Sequence, residues 1–169
     1  MLPIRTVRNK PWIPYECEVH SYLSDTPRDF DGPVTTVHGF FFNEQKQLLL
    51  VRHKKRGWEI PGGHIHQNES IETAMHRELW EEAQMTSSDL SWVGYLKKEA
   101  VGPKPESCDY PYPLSYCIFF SAQIEKITPF IGDDSIKEAR FFSLEKAEGI
   151  PWIIEYKDFF DEAIKKWHG

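Results

Sequence analysis

The chain has 169 residues, with 20 Lys and Arg against 26 Asp and Glu, a formal net charge of −6 and 40% hydrophobic residues. That length and apolar content predict one compact domain, 1–169, with its own core, and the acidic balance argues against a nucleic-acid duplex or an anionic membrane surface as partner. No apolar run approaches the roughly 18 residues that a membrane span needs, the N-terminal MLPIRTVRNKPWIP has no secretory-signal core, and three scattered cysteines (Cys17, Cys108, Cys117) predict buried free thiols in a reducing, cytoplasmic setting.

In chain order, residues 16–23 alternate weakly and predict an edge strand within an N-terminal extension, 1–32, closed by the turn-rich SDTPRDFDGP. VTTVHGFFF (34–42) and QLLLVRH (47–53) predict two strands joined as a hairpin by NEQK. GWEI (57–60) predicts a short strand ending at Pro61. Asn68 and Ser70 are helix N-cap types, and the amphipathic run behind them predicts a helix from Ile71 to about Gln84. Strands follow at 90–102, 114–124 and 138–144, the first two separated by a proline-rich loop. IPWIIEYKDFFDEAIKKWH (150–168) has apolar residues at helical spacing and predicts a second helix. Strands bracketed by helices make the fold class α/β.

The segment 63–85, GHIHQNESIETAMHRELWEEAQM, carries the chemistry. At about 100° per residue, Ile71, Met75 and Leu79 form one apolar stripe. Glu82 falls inside that stripe, Glu78 beside it and Glu81 on its flank. A carboxylate turned inward costs several kcal/mol, on the order of a lost ion pair, unless it is paired or bound to a cation. Arg77 alone cannot neutralise three glutamates. Hard divalent cations can, because carboxylate oxygens are their preferred ligands, and such sites commonly serve phosphate substrates. The plain alternative is a surface helix with ordinary i,i+4 charge pairs.

This segment resembles the signature of the Nudix hydrolases, G-x5-E-x7-R-E-U-x-E-E-x-G-U, where U is a bulky aliphatic residue. Gly63, Glu69, Arg77, Glu78, Leu79, Glu81, Glu82 and Met85 fall where the pattern asks, and Gln84 stands where it has glycine. The resemblance implies an α/β/α sandwich with a mixed sheet between helices, residues 150–168 supplying the C-terminal helix. It also implies Mg²⁺, with Mn²⁺ as the other candidate, held by Glu78, Glu81, Glu82 and a carbonyl at Gly63 or Gly62. A structural role follows for Arg77, and for Glu69 either that or an outer metal contact. The implied reaction is hydrolysis of a phosphoanhydride in a nucleoside diphosphate linked to another group. Glu78, Glu81 or a loop acid at Asp133 or Asp134 would take the proton.

The preferred substrate is a nucleoside triphosphate. ADP-ribose or a dinucleotide is the alternative, the latter because DYPYPLS (109–115) faintly resembles an array found in NADH pyrophosphatases. A non-catalytic nucleotide-binding regulator is a second alternative. All three readings share a nucleotide-like small-molecule partner and leave a homodimer open.

Other residues carry two readings each. Arg52 opens a basic run (Arg52, His53, Lys54, Lys55, Arg56) that either steers polyphosphate or is a solvated hairpin end. Trp58 and Tyr112 either stack on a base or pack in the core. His64 and His66 sit in the loop, exposed or touching phosphate. His38 is expected as a satisfied core histidine, Trp80 as packed beneath a loop or strand, and Asp133 and Asp134 either bind at the site or solvate a turn.

Overall fold

The computed structural model describes residues 1–168. Along the chain run β1 (Arg5–Arg8), β2 (Cys17–Leu23), β3 (Val34–Phe42), β4 (Leu48–His53), β5 (Gly57–Glu59), β6 (Gly62–His64) and α1 (Ile71–Ala83). They are followed by β7 (Met85–Ser87), β8 (Ser91–Ala100), β9 (Leu114–Ile127), β10 (Ile136–Phe142), α2 (Leu144–Ala147), α3 (Pro151–Glu155) and α4 (Lys157–His168). The strands join in the order β1-β2-β8-β9-β3-β4-β10, with β5 on β4, β6 on β3 and β7 on β9. β3 and β9 run parallel, from Val34 opposite Tyr116 to Phe42 opposite Gln123, and the remaining pairs are antiparallel, so the sheet is mixed.

Period-two alternation sends neighbouring side chains to opposite faces. Val37, Phe41, Leu49, Val51, Ile118 and Phe120 join Ala74, Met75, Leu79 and Ala83 of α1 in one core. Phe40, Phe42, Leu48, Leu50, Cys117 and Phe119 join Ile153, Phe159, Phe160 and Ala163 of α3 and α4 in the other. Helices on both faces of a mixed sheet give the expected α/β/α sandwich. Phe119 stacks on Phe159 at 4.2 Å between ring centroids, which anchors α4 to the centre of the sheet.

Several elements differ from the sequence reading. β2 is not an edge: it is covered by β1, whose four residues RTVR are too short and too charged to give an apolar signal. The hairpin of β3 and β4 pairs only at Phe42–Leu48 and then opens, because β3 takes β6 and β9 as partners while β4 takes β5 and β10. β6 contains no apolar residue and β7 only one, so neither shows a strand pattern. The C-terminal helix is broken: Pro151 sits at the start of α3, and Tyr156, at φ −110° and ψ 32°, leaves helical geometry before α4 begins.

α1 begins at Ser70, whose hydroxyl accepts from Thr73 N–H at 3.1 Å. It ends at Gln84, which takes the left-handed conformation, φ 52° and ψ 41°. A side chain there costs about 1 kcal/mol, but Gln84 offsets it. Its Nε2 donates to the carbonyls of Trp80 (3.1 Å) and Glu81 (2.9 Å), and its Oε1 accepts from Ile131 N–H at 2.9 Å. The residue therefore closes the helix and ties it to the loop before β10. Gln84→Ala and Gln84→Gly both lose these bonds, but only glycine also relieves the strain. Urea unfolding should show Gln84→Ala less stable than Gln84→Gly by about 1 kcal/mol. Equal stabilities would remove strain from the account.

Candidate active site

Arg77 organises the loop between β6 and α1. A guanidinium has five N–H donors, and all five find acceptors. Two go to Glu69 at 2.7 and 3.0 Å, one to Glu78 at 2.8 Å, one to Glu81 at 3.0 Å and one to the His64 carbonyl at 2.9 Å. The fork geometry to Glu69 is the strong bidentate kind. It holds the Glu69 carboxyl down at about 2, helped by the His66 N–H at 2.9 Å. Glu69 and the His64 carbonyl on one guanidinium clamp both ends of the loop to α1.

Glu78 and Glu82 lie where β6 meets α1. A Cβ built on Gly63 would stand 2.5 Å from the Glu78 carboxylate, and one on Gly62 would collide with the His38 ring. Both glycines are extended β-strand residues, so close approach and not an unusual φ requires them here. Glu82 accepts from Gly62 N–H at 3.0 Å. Burial, with the charges of Glu78 and Glu59 added, pushes the Glu82 carboxyl up to about 8 against that hydrogen bond. Glu59, which the sequence reading did not single out, is buried on β5 and held by Arg56. Glu81 is half exposed, with its carboxylate drawn to Arg77.

On the α3 side of the sheet a cleft of about 790 Å³ opens beside these groups. Gly62, Gly63, His64, Glu59 and Arg56 form its acidic end. Trp12, Tyr110, Phe119, Trp152 and Tyr156 wall the rest, with Lys98 and His38 among them. The size and the aromatic lining suit a small-molecule site. His38 is not the satisfied core histidine that its strand position suggests: its Nδ1 is buried with no hydrogen-bond partner. Burial, with Lys98 and Arg56 near, pushes its pKa down to about 3, so the ring is neutral.

The sequence-picked residues divide. Glu69, Arg77, Glu78, Glu81, Glu82 and Gly63 come together, and Trp58 and His64 line the cleft. Trp58 also packs edge-on against Phe142 at 4.9 Å. Arg52 lies apart, paired with Glu138 at 3.2 Å. Asp134 is exposed in the loop before β10 and outside the cleft lining, while Asp133 caps that turn by accepting from Ser135 and Ile136 N–H. Tyr112 donates to the Gly102 carbonyl on the surface, and His66 is exposed. Trp80 is 47% exposed and not packed beneath any element, because it lies on the α1 face opposite Met75. Lys98 and Trp12 went unnoticed. The one available signal was that Lys98 lies two residues beyond Leu96, on the same inward face of β8.

The donor set fits a hard divalent cation. Among the described residues no three His, Cys, Asp or Glu side chains converge to enclose an ion by themselves. Mg²⁺ does not require that: one or two carboxylates, substrate phosphates and waters suffice. Glu78 supplies oxygens beside Gly63 and Glu82 beside Gly62.

Fold, loop and carboxylates together define a Nudix-type domain. Residues 32–163 match the NUDIX domain, and the chain belongs to that family. It is 41% identical over 71 residues to the RNA pyrophosphohydrolase of Histophilus somni (strain 2336), a match covering 41% of this chain and 36% of that protein. The Haemophilus ducreyi RNA pyrophosphohydrolase is likewise 41% identical over 63 residues, 37% of this chain and 32% of that one. The chain thus spans about a third of the length of the curated relatives it matches. The fold resembles a mutant of the Bacillus subtilis pyrophosphohydrolase, with TM-score 0.68 and 21% identity over 98% of this chain and 96% of that one. It also resembles the NUDIX domain of Shewanella oneidensis NrtR complexed with ADP ribose, with TM-score 0.60 and 19% identity over 82% and 90%.

The raised Glu82 carboxyl has a consequence for stability. Its pKa lies above the ordinary 4.5, at about 8, so between those values the folded chain holds a proton that the unfolded chain has lost. Stability therefore falls as pH rises through that window. In EDTA the unfolding temperature of Glu82→Gln should exceed that of the parent protein at pH 8, by on the order of 5 °C, and match it at pH 4.5. A difference independent of pH would show that Glu82 is not the group responsible.

Proposed function

We propose that the protein is a divalent-metal-dependent hydrolase of a phosphoanhydride in a nucleotide-linked diphosphate. The observation that carries this reading is the junction of two parts. An acidic end (Glu78, Glu82, Gly63) built for a cation on phosphate adjoins an aromatic cleft sized for a nucleoside. Nucleoside triphosphates are the simplest substrates of this kind. The RNA pyrophosphohydrolases it resembles point to a 5′-phosphorylated RNA end as a second carrier of the same bond. Mg²⁺ is the proposed metal. When bound, it neutralises phosphate charge and acidifies a water.

The chain's own residues do the rest. Glu78 and Glu82, with Glu81 and the Gly63 carbonyl, hold the cation. Arg77 fixes where the carboxylates of Glu78 and Glu81 stand. Glu81, half exposed and not packed against Gly63, is the proposed proton acceptor, whereas Glu78 is shielded. Arg56 and His64 face the phosphates from the rim of the cleft, and the Trp12 and Trp152 side bounds the nucleoside.

Phosphate release from a nucleotide panel should need Mg²⁺ or Mn²⁺, stop with EDTA, and fall at least about a hundredfold in Glu82→Gln. Tight nucleotide binding without turnover would replace the enzyme by a binding module. Arg77→Lys keeps the charge but not the fork, so kcat should fall roughly tenfold or more through misplacement of the carboxylates. Arg52→Ala and Asp134→Asn should stay within about twofold of the parent in kcat/KM, since neither residue lines the cleft. A large loss in either would bring the loop before β10 or the β4 end into the site.

A further inference from the structure

We propose that Lys98 forms a base-reading subsite that selects a 6-oxopurine, guanine or hypoxanthine, over adenine. The inference rests on the nucleotide reading above and names the nucleoside.

Lys98 is 2% exposed at the aromatic end of the cleft. Its ammonium lies over the rings of Trp12 at 5.1 Å and Tyr110 at 5.5 Å, and donates to the Tyr110 hydroxyl at 2.9 Å. It has no carboxylate partner among the described residues. The other lysine of this region, Lys10, is neutralised by Glu155. A buried ammonium with one hydrogen bond still has two N–H groups to place. A buried ammonium with unused donors therefore lines the aromatic end of the cleft.

The shape of the cleft decides what meets them. Phosphates belong at the opposite end, beside Gly63 and the glutamates. What reaches Lys98 is the polar edge of a planar ring held between aromatic walls. Guanine and hypoxanthine present two adjacent acceptors, N7 and O6, which suit an ammonium donor. Adenine presents N7 beside an amino group, whose hydrogens oppose the lysine donors. Uracil has a single oxo acceptor on that edge and fills less of a cleft of about 790 Å³. A site built around buried donors discriminates strongly, because the wrong base leaves them unpaired.

ITP and ATP differ in the 6-substituent that Lys98 would read, and they make the test. With Mg²⁺, kcat/KM for ITP and GTP should exceed that for ATP by about tenfold or more. Lys98→Met, similar in length and without charge, should bring ITP and GTP down to the ATP level while ATP changes by less than about threefold. Tyr110→Phe, which frees the ammonium from its phenol, should shift the ratio without abolishing it. An ITP-to-ATP ratio near one together with no preference between RNA ends beginning with G or A, or an equal loss on all three nucleotides in Lys98→Met, would overturn the proposal and leave the hydrolase reading intact. Thermal unfolding of each variant shows whether an equal loss comes from misfolding. In that case Lys98→Gln, which retains a donor, decides by restoring or not restoring the ratio.

Should no free triphosphate turn over, calorimetric binding of IDP and ADP to the parent protein decides the subsite. Tighter IDP binding by about tenfold supports it, and equal binding rejects it. The same comparison on 5′-triphosphorylated trinucleotides beginning with G or A identifies the source of the base. Discrimination in either arm supports the subsite and says whether a free nucleotide or an RNA end supplies it. Discrimination in neither rejects it.

Discussion

One guanidinium holds the active end of this protein together. Arg77 spends every N–H on the loop and the helix it serves, joining Glu69, the His64 carbonyl, Glu78 and Glu81. The arrangement resolves a conflict in the sequence. The helix needs its Met75 and Leu79 stripe buried, yet the chemistry needs carboxylates along the same edge. A planar, permanently charged fork can satisfy three carboxylates at once, which a lysine cannot. What the arginine leaves uncompensated is Glu82, pressed against Gly62 and near Glu78 and Glu59. The carboxylates are thus only partly neutralised by the protein's own basic groups, which is what supports the proposed cation.

The sheet explains how that charge comes to lie beside an apolar cleft. β3 carries β6 on one side and β9 on the other, so the Gly62–Gly63 step is fixed to the centre of the fold. His38 on β3 and Lys98 on β8 then fall on the α3 face, while α1 with its glutamates packs the opposite face and reaches round the strand end. The two glycines make this possible. Any side chain at either position would displace His38 or Glu78. The proposed cation site and the proposed base subsite are therefore carried by one continuous ladder of strands, β6-β3-β9-β8.

Much of this was legible in the residues alone. Spacing along α1 put Glu82 inside the apolar stripe and Glu78 beside it, and the resemblance implied a structural role for Arg77. Period-two runs marked the long strands, because their buried faces are apolar without interruption. Elements defined by pairing and not by composition stayed hidden. GGH in β6 and RTVR in β1 are strands only because neighbours supply their hydrogen bonds. Lys98 stayed hidden for a related reason. A lysine in KKEA reads as solvated, and only the tertiary fold, with Trp12 folded across from the N-terminal segment, turns it inward. Arg52 shows the converse: a charge near the signature in sequence need not line the cleft beside it.

The parallel pairing of β3 with β9 sets an order on assembly. Val34 meets Tyr116 and Phe42 meets Gln123, so the central ladder closes across some eighty intervening residues. Closure over that distance is slow relative to hairpins and helices. α1 and its capping loop can form early from local contacts, but they have no finished surface to rest on until β9 arrives. During synthesis the Met75 and Leu79 stripe therefore waits exposed while the chain as far as β9 is made, and the interval before the sheet closes is when the nascent protein is most open to aggregation or capture by chaperones.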